Sequence, residues 1–273
     1  MNQKYKSVIV HTGLILAAII IAAPVFLALI FSTQTPAQIF SYPPKFTFGT
    51  AIVENYLTAW HDFHLGRYML NSFYIAIAVM AGKTVLSFSA AMVMVYFHFP
   101  LKSWIFAFIL LTLMMPTEIM IVSLFELVTG LGWSNSYAAL IVPFLASATG
   151  TFLFRQHFLQ IPSSIVDASR IDGAGPFRFA WSILLPMSMN VVAALAVIEF
   201  VYMWNQYLWP LIIVRESERQ VVQVGLRMMS AGQDATNWGI VMAGSIITLL
   251  PALIVFLLLQ EQFSRGFALS QEK

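Results

Sequence analysis

The chain has 273 residues, of which 59% are hydrophobic and only 10% charged, with a mean hydropathy of +0.81. Soluble proteins carry about 25% charged residues, so this chain lacks the charge to coat a globule and most of its surface is expected to face lipid. A net charge of +2 without any Lys/Arg cluster argues against nucleic acid, and the absence of Cys excludes disulfides, thiolate metal sites and a Cys nucleophile.

A helix crossing about 30 Å of hydrocarbon needs roughly 20 mostly apolar residues. Val8 to Phe31 is the first such run and holds no charge. Lys4 and Lys6 precede it, but the run is longer than a signal h-region and no small-residue cleavage site follows, so it reads as an uncleaved helix. Ser32 to Tyr68, with Pro36, Pro43 and Pro44, is too polar to cross and reads as a large external loop. Further spans are expected at Leu70–Tyr96, Trp104–Leu127, Tyr137–Phe154, Met187–Val214 and Trp238–Leu259, the last kinked at Pro251. Ala146 and Gly150, four apart, would let a neighbouring helix approach closely. The expected fold is all-α, a single membrane domain over residues 1–273 with six transmembrane helices. With the N-terminus inside, loop Lys and Arg divide eight inside to five outside, which places both termini in the cytoplasm.

The connector Arg155–Pro186 is cytoplasmic in this topology. Ser163 or Ser164 could cap a short helix over Ile165–Ile171, Gly173 could end it, and Pro176 could start another. Ile165, Val166 and Ile171 alternate with Asp167, Arg170 and Asp172. Two readings fit this amphipathic hairpin: a membrane-surface helix without a partner, or a docking element for a soluble cytoplasmic protein.

Asp167-Ala168-Ser169, then Gly173, then Ile183, Leu185 and Pro186 resemble the EAA loop of ABC importer permeases. Asp167 stands for Glu and Ser169 for the second Ala. The six spans, the run Ala146–Arg155, and Trp204-Asn205-Gln206-Tyr207-Leu208-Trp209-Pro210 resemble the carbohydrate-uptake branch, and within it the second permease of sn-glycerol-3-phosphate importers. The resemblance implies a half-permease in a bacterial-type cytoplasmic membrane, without catalytic activity of its own. Its implied partners are a homologous permease, two ATP-binding subunits that hold the ATP and Mg, and an extracytoplasmic binding protein. It implies that Asp167, Ala168, Ser169, Arg170, Asp172, Gly173 and Ala174 couple to the ATPase, and that the outer loop 214–237 faces the binding protein.

Enzyme readings fare poorly. Gly82-Lys83-Thr84 matches the tail of a P-loop, but Ile77 stands where the first Gly belongs and the site is mid-span. His61 and His64 flank Asp62 and read as solvated loop residues rather than a metal site.

Charges inside spans mark the candidate transport path. At about 1.5 Å per residue, Lys83 and Glu199 lie about 18 Å into their spans and Glu118 about 21 Å from the inner end of its own. Such charges cost about 2.5–3.5 kcal/mol at mid-membrane and are normally paired or functional. Lys83 could pair with Glu118 or Glu199, or could attract an anionic substrate such as a phosphate. Tyr202, Trp204 and Asn205 read either as part of an interfacial aromatic belt or as helix-packing or cavity-lining residues; lining a cavity, aromatic faces with an amide suit a polyol or a sugar and, with Glu199, a choline ester through cation–π attraction. With that chemistry left open, the resemblance implies sn-glycerol 3-phosphate or a glycerophosphodiester as the substrate, with an uncharged oligosaccharide as the alternative. A stand-alone secondary transporter is disfavoured, since no internal repeat is visible.

Overall fold

The computed structural model describes residues 3–116, 119–231 and 237–268, with side chains over 7–116, 119–231 and 237–260. Among the described residues every regular element is helical. In chain order these are α1 (Gln3–Phe31), α2 (Pro36–Ile39), α3 (Ile52–His61), α4 (Leu65–Tyr96), α5 (Lys102–Leu113), α6 (Ile121–Gly130), α7 (Tyr137–Ile141) and α8 (Ala148–Phe158). They continue as α9 (Ser163–Ile171), α10 (Pro176–Phe179), α11 (Leu185–Met187), α12 (Met189–Trp204), α13 (Leu208–Ile213), α14 (Val222–Ser230) and α15 (Trp238–Ala268).

Four stretches are long and apolar enough to cross a membrane: Ser7–Phe31, Leu65–Tyr96, Tyr137–Phe158 and Trp238–Gln260. A fifth, Pro176–Met187 with Met189–Trp204, is bent by 76°. Among the described residues this is fewer than the six continuous spans expected. Trp104–Leu127 is not one helix but the short helices α5 and α6. Pro116 has no amide hydrogen and disfavours a helical residue before it, so the chain turns after Leu113. Met187–Val214 likewise breaks after Trp204, where the Asn205 side-chain amide donates to the Val201 carbonyl at 2.9 Å, and resumes as α13. Tyr137–Phe154 extends to Phe158 but passes through a 3₁₀ turn at Val142–Phe144 around Pro143, so Ala146 precedes α8 and only Gly150 lies on it. The second span starts at Leu65 rather than Leu70.

The chain forms two compact units. The first comprises the described residues of Met1–Met69 and Val222–Leu250. In it the last carbonyls of α1 are satisfied by hydroxyls: Ser32 donates to Leu29 O and Thr33 to Ile30 O, both at 2.7 Å. The Asn55 amide on α3 donates to Ser32 O and Gln34 O at 2.9 Å. The connector after α1 is thus held in place by hydrogen bonds.

The second unit comprises Leu70–Val221 with the described residues of Pro251–Lys273. Its core gathers Ala91 of α4, Phe154 and Phe158 of α8, Phe179 of α10, Leu184 and Leu195. Edge-to-face ring pairs hold it: Phe88 with Phe154 at 5.5 Å, Phe88 with Phe158 at 5.3 Å and Tyr96 with Phe179 at 5.2 Å. Each such pair contributes about 0.5–1.5 kcal/mol beyond its burial. Between α10 and α11 the backbone widens into a π-type turn over Ala180–Leu184. Pro186 cannot donate to a carbonyl one turn back, which accounts for the irregularity.

Candidate functional site

α9 is anchored through one face only. Val166 packs against the aromatic core, and Ser169 is buried, its hydroxyl donating to Val166 O at 2.6 Å. Asp167, Ala168, Arg170, Asp172 and Gly173 are exposed and Ala174 is partly so. Arg170 reaches Asp167 at 3.4 Å, but both side chains are more than 60% exposed and such a pair contributes little. No serine caps this helix: Pro162 occupies the N-cap without a side-chain bond, its fixed φ of −57° leading straight into the first turn. The C-terminus follows expectation. Gly173 takes φ +69°, and the Gly173 and Ala174 amides donate to Arg170 O and Ser169 O at 3.1 and 2.9 Å. Ile171 and Phe177, 86% and 84% exposed, leave an apolar surface on this segment with nothing from the described chain upon it.

The mid-span charges are brought together. The Lys83 ammonium donates to Glu199 Oε2 at 2.5 Å, joining α4 to α12, and both residues are buried. The Ser147 hydroxyl donates to Glu199 Oε1 at 3.2 Å while accepting the Gly150 amide at 3.0 Å as the N-cap of α8. A third helix is thereby tied to the pair. Ser87, one turn beyond Lys83, donates to Ser147 O at 3.3 Å. A Cβ on Gly150 would lie 2.5 Å from Ser87 Oγ and 3.0 Å from Leu195, so only glycine permits this three-helix approach without displacement. The Lys83 ammonium also lies 5.1 Å from the centroid of the Tyr202 ring. In this conformation the Lys83 charge is neutralised by a carboxylate. Glu118 lies outside the described residues.

The other candidates separate. Tyr202 and Asn205 are exposed. Trp204 is turned into the packing, 2% exposed and stacked on Phe200 with centroids 5.7 Å apart.

The start of the segment after Val214 is clamped by two asparagines that no local pattern singles out. Asn71, buried on α4, donates to Glu218 O and Gln220 O at 2.8 and 2.9 Å and accepts the Tyr137 hydroxyl at 2.8 Å. Asn135, at φ 59°, accepts the amides of Arg215 and Glu216 at 3.2 and 3.1 Å. Arg219 donates to Asn135 O at 2.8 Å and to Glu216 at 2.6 Å. The loop continues into α14, and residues 232–236 lie outside the described residues.

The family description "binding-protein-dependent transport system inner membrane component" matches residues 83–268. The chain belongs to that family. It is 41% identical over 273 residues, 97% of each chain, to the sn-glycerol-3-phosphate transport system permease protein UgpE of Brucella abortus (strain 2308). It is 39% identical over 278 residues, 99% of each chain, to the protein of the same name from Yersinia pestis bv. Antiqua (strain Antiqua). The fold is similar to a chain in the crystal structure of a bacterial ABC transporter involved in import of the acidic polysaccharide alginate. There the TM-score is 0.84 at 18% identity, covering 96% of this chain and 99% of the other. A second structure, of a bacterial alginate ABC transporter with a pentasaccharide-bound periplasmic protein, gives 0.66 at 13% identity over 96% of each chain. The chain is a multi-pass membrane protein of the transport family named above.

Proposed function

We propose that this chain is one permease subunit of an ATP-driven importer for sn-glycerol 3-phosphate or a glycerophosphodiester such as glycerophosphocholine. The observation that carries the reading is the identity of 41% across 97% of the chain to a permease named for that substrate. The subunit works as a heterodimer with a homologous permease in a bacterial cytoplasmic membrane, served by two ATP-binding subunits and an extracytoplasmic binding protein. ATP and Mg belong to the ATP-binding subunits. Six crossings put both termini in the cytoplasm: α1, α4, α5 with α6, α7 with α8, α12 with α13, and α15.

In this reading α9 is the coupling helix. Asp167, Ala168, Arg170, Asp172 and Gly173 meet the ATPase, and Ser169 and Ala174 hold the helix end in shape. Closure of the ATPase dimer pushes α9, whose Val166 is seated on the aromatic core that also holds α4 and α8. The push reaches the spans through that core, and the two permeases rock outward to receive substrate. Hydrolysis returns them inward. Lys83, Glu199 and Tyr202 form the polar locus at mid-depth, with Glu118 and Asn205 as further path candidates and Trp204 as their packing support. Lys83 reaches a substrate phosphate where its pair with Glu199 opens. The loop clamped by Asn71 and Asn135 faces the binding protein.

The deciding experiment is mass spectrometry of ligand released from the binding protein that copurifies with this chain, followed by ATP-dependent uptake of that ligand in reconstituted vesicles. Glycerol 3-phosphate or its diester supports the reading. A phosphate-free sugar overturns the substrate assignment, and uptake by this chain alone, driven by an ion gradient, overturns the importer itself.

A further inference from the structure

The connector between α1 and α4 carries two exposed apolar rows. Phe40, Tyr42, Phe46 and Phe48 occupy alternate positions of a non-helical stretch around Pro44 and are 67%, 97%, 61% and 69% exposed. On α3, Val53, Leu57 and Trp60 recur at the i, i+4, i+7 spacing of one helical face and are all exposed, while Asn55 and Ala59 on the other side are buried. A solvated outer loop has no reason to order and expose so much aromatic surface.

Hydrogen bonds fix where these rows sit. Gln34, three residues past the end of α1 and 1% exposed, donates through its amide to Lys45 O at 2.8 Å and Thr47 O at 2.7 Å. The Gly49 amide donates to the Thr33 hydroxyl at 2.8 Å, and Asn55 ties α3 to Ser32 O and Gln34 O. The stretch and α3 are thus both stitched to the last turn of a span whose apolar length is unburied within this chain. A span's end marks the boundary between hydrocarbon and headgroups, where Trp, Tyr and amphipathic helices collect and lysine can meet lipid phosphate.

We infer that the α1–α4 connector is an interfacial anchor, with its two apolar rows inserted into the headgroup region of the outer leaflet. The occupant is the lipid surface that the end of α1 would meet as it crosses. A face of the second permease or of the binding protein would be the competing occupant. The inference rests on α1 crossing the membrane with its N-terminus in the cytoplasm, as proposed above, and needs no assumption about the substrate.

The absence of Cys from this chain allows single nitroxide labels to be placed in the assembled transporter in lipid nanodiscs, with label background measured on the unsubstituted complex. Labels at Tyr42→Cys, Phe46→Cys and Leu57→Cys are compared with Leu16→Cys in α1 and Arg215→Cys in the outer loop. The expected result is a ratio of oxygen to nickel-chelate collision at the three connector sites several-fold above that at Arg215, and below that at Leu16. Water-like collision at the connector sites beside a lipid-like Leu16 overturns the inference. Shielding from both reagents there means a protein occupant and also overturns it. A water-like Leu16 overturns the crossing of α1 and the inference together. None of these outcomes bears on which substrate is carried, which the released-ligand experiment decides.

Discussion

Lys83 and Glu199 meet at 2.5 Å across 116 positions of sequence, and the Ser147 hydroxyl takes the second carboxylate oxygen at 3.2 Å. The pair therefore joins α4, α8 and α12 at one buried point. Its members offset each other's cost of burial, because either charge alone in such a place is strongly destabilising.

Replacing either partner singly is expected to cost about 3–5 kcal/mol, since each leaves the other charge buried and unmatched. Lys83→Met and Glu199→Gln should each lower the yield and unfolding midpoint of the detergent-solubilised complex. The double variant Lys83→Met/Glu199→Met should recover most of the loss. Uptake kinetics on that recovered variant, compared between the phosphorylated compound and its phosphate-free counterpart, read the role of Lys83 toward the phosphate: a raised KM for the phosphorylated compound alone is expected. An unchanged KM would make Lys83 a pairing residue only.

Gly150 is the contact that lets α8 come close enough for Ser147 to serve the pair. Its missing side chain is filled by Ser87 and Leu195. Gly150→Leu overfills this space and should cost about 1–3 kcal/mol, with off-rotamer neighbours. Gly150→Ala should cost less, because Ser87 can rotate. Thermal stability of the purified complex for wild type, Ala and Leu is expected to fall in that order.

These local rules separate what was readable from what was not. The charge-free run of α1 and the turn chemistry of Gly173 were legible, because each depends on neighbours in sequence. The breaks around Pro116 and after Trp204 were less so: apolar composition continues across them, and only the backbone's lack of a proline donor or an amide cap interrupts the helix. Lys83 could be narrowed to two carboxylate partners by depth alone, and packing chose Glu199. Ser147 stands inside the run Ala146–Arg155 without its role being readable there, and Asn71 and Asn135 carry no local signal. Their bonds reach 52 to 149 positions along the chain and leave no periodic trace. The connector after α1 is polar on average, with Glu54, His61 and Asp62, so the apolar face that α3 sorts to one side is legible only once the helix is in place.

Asn71 makes three side-chain hydrogen bonds from a buried position, two of them to the loop that precedes α14. Asn71→Ala leaves the carbonyls of Glu218 and Gln220 and the Tyr137 hydroxyl short of partners, at about 1–3 kcal/mol for a buried group. The loop opens more easily, while α4 itself keeps its backbone bonds. Amide exchange over residues 214–221 should accelerate about tenfold, the equivalent of roughly 1.4 kcal/mol in local opening. Exchange within the aromatic core around Phe154 should stay unchanged. Equal acceleration in both places would show that Asn71 supports the whole unit rather than the loop.

Gly173 separates the shape of α9 from its proposed contact. Its φ of +69° penalises any L side chain by about 1–2 kcal/mol, with asparagine the best tolerated. A Cβ there meets nothing within 4 Å, so a large side chain projects outward without disturbing the chain's own packing. Gly173→Asn should therefore retain most ATPase stimulation by loaded binding protein. Gly173→Trp should insert into the membrane at wild-type level but lose that stimulation and fail to hold the ATP-binding subunit through purification, because the ring occupies the surface that the ATPase needs. Full stimulation of the Trp variant would place the contact elsewhere, and poor insertion of both variants would trace the defect to the strained backbone instead.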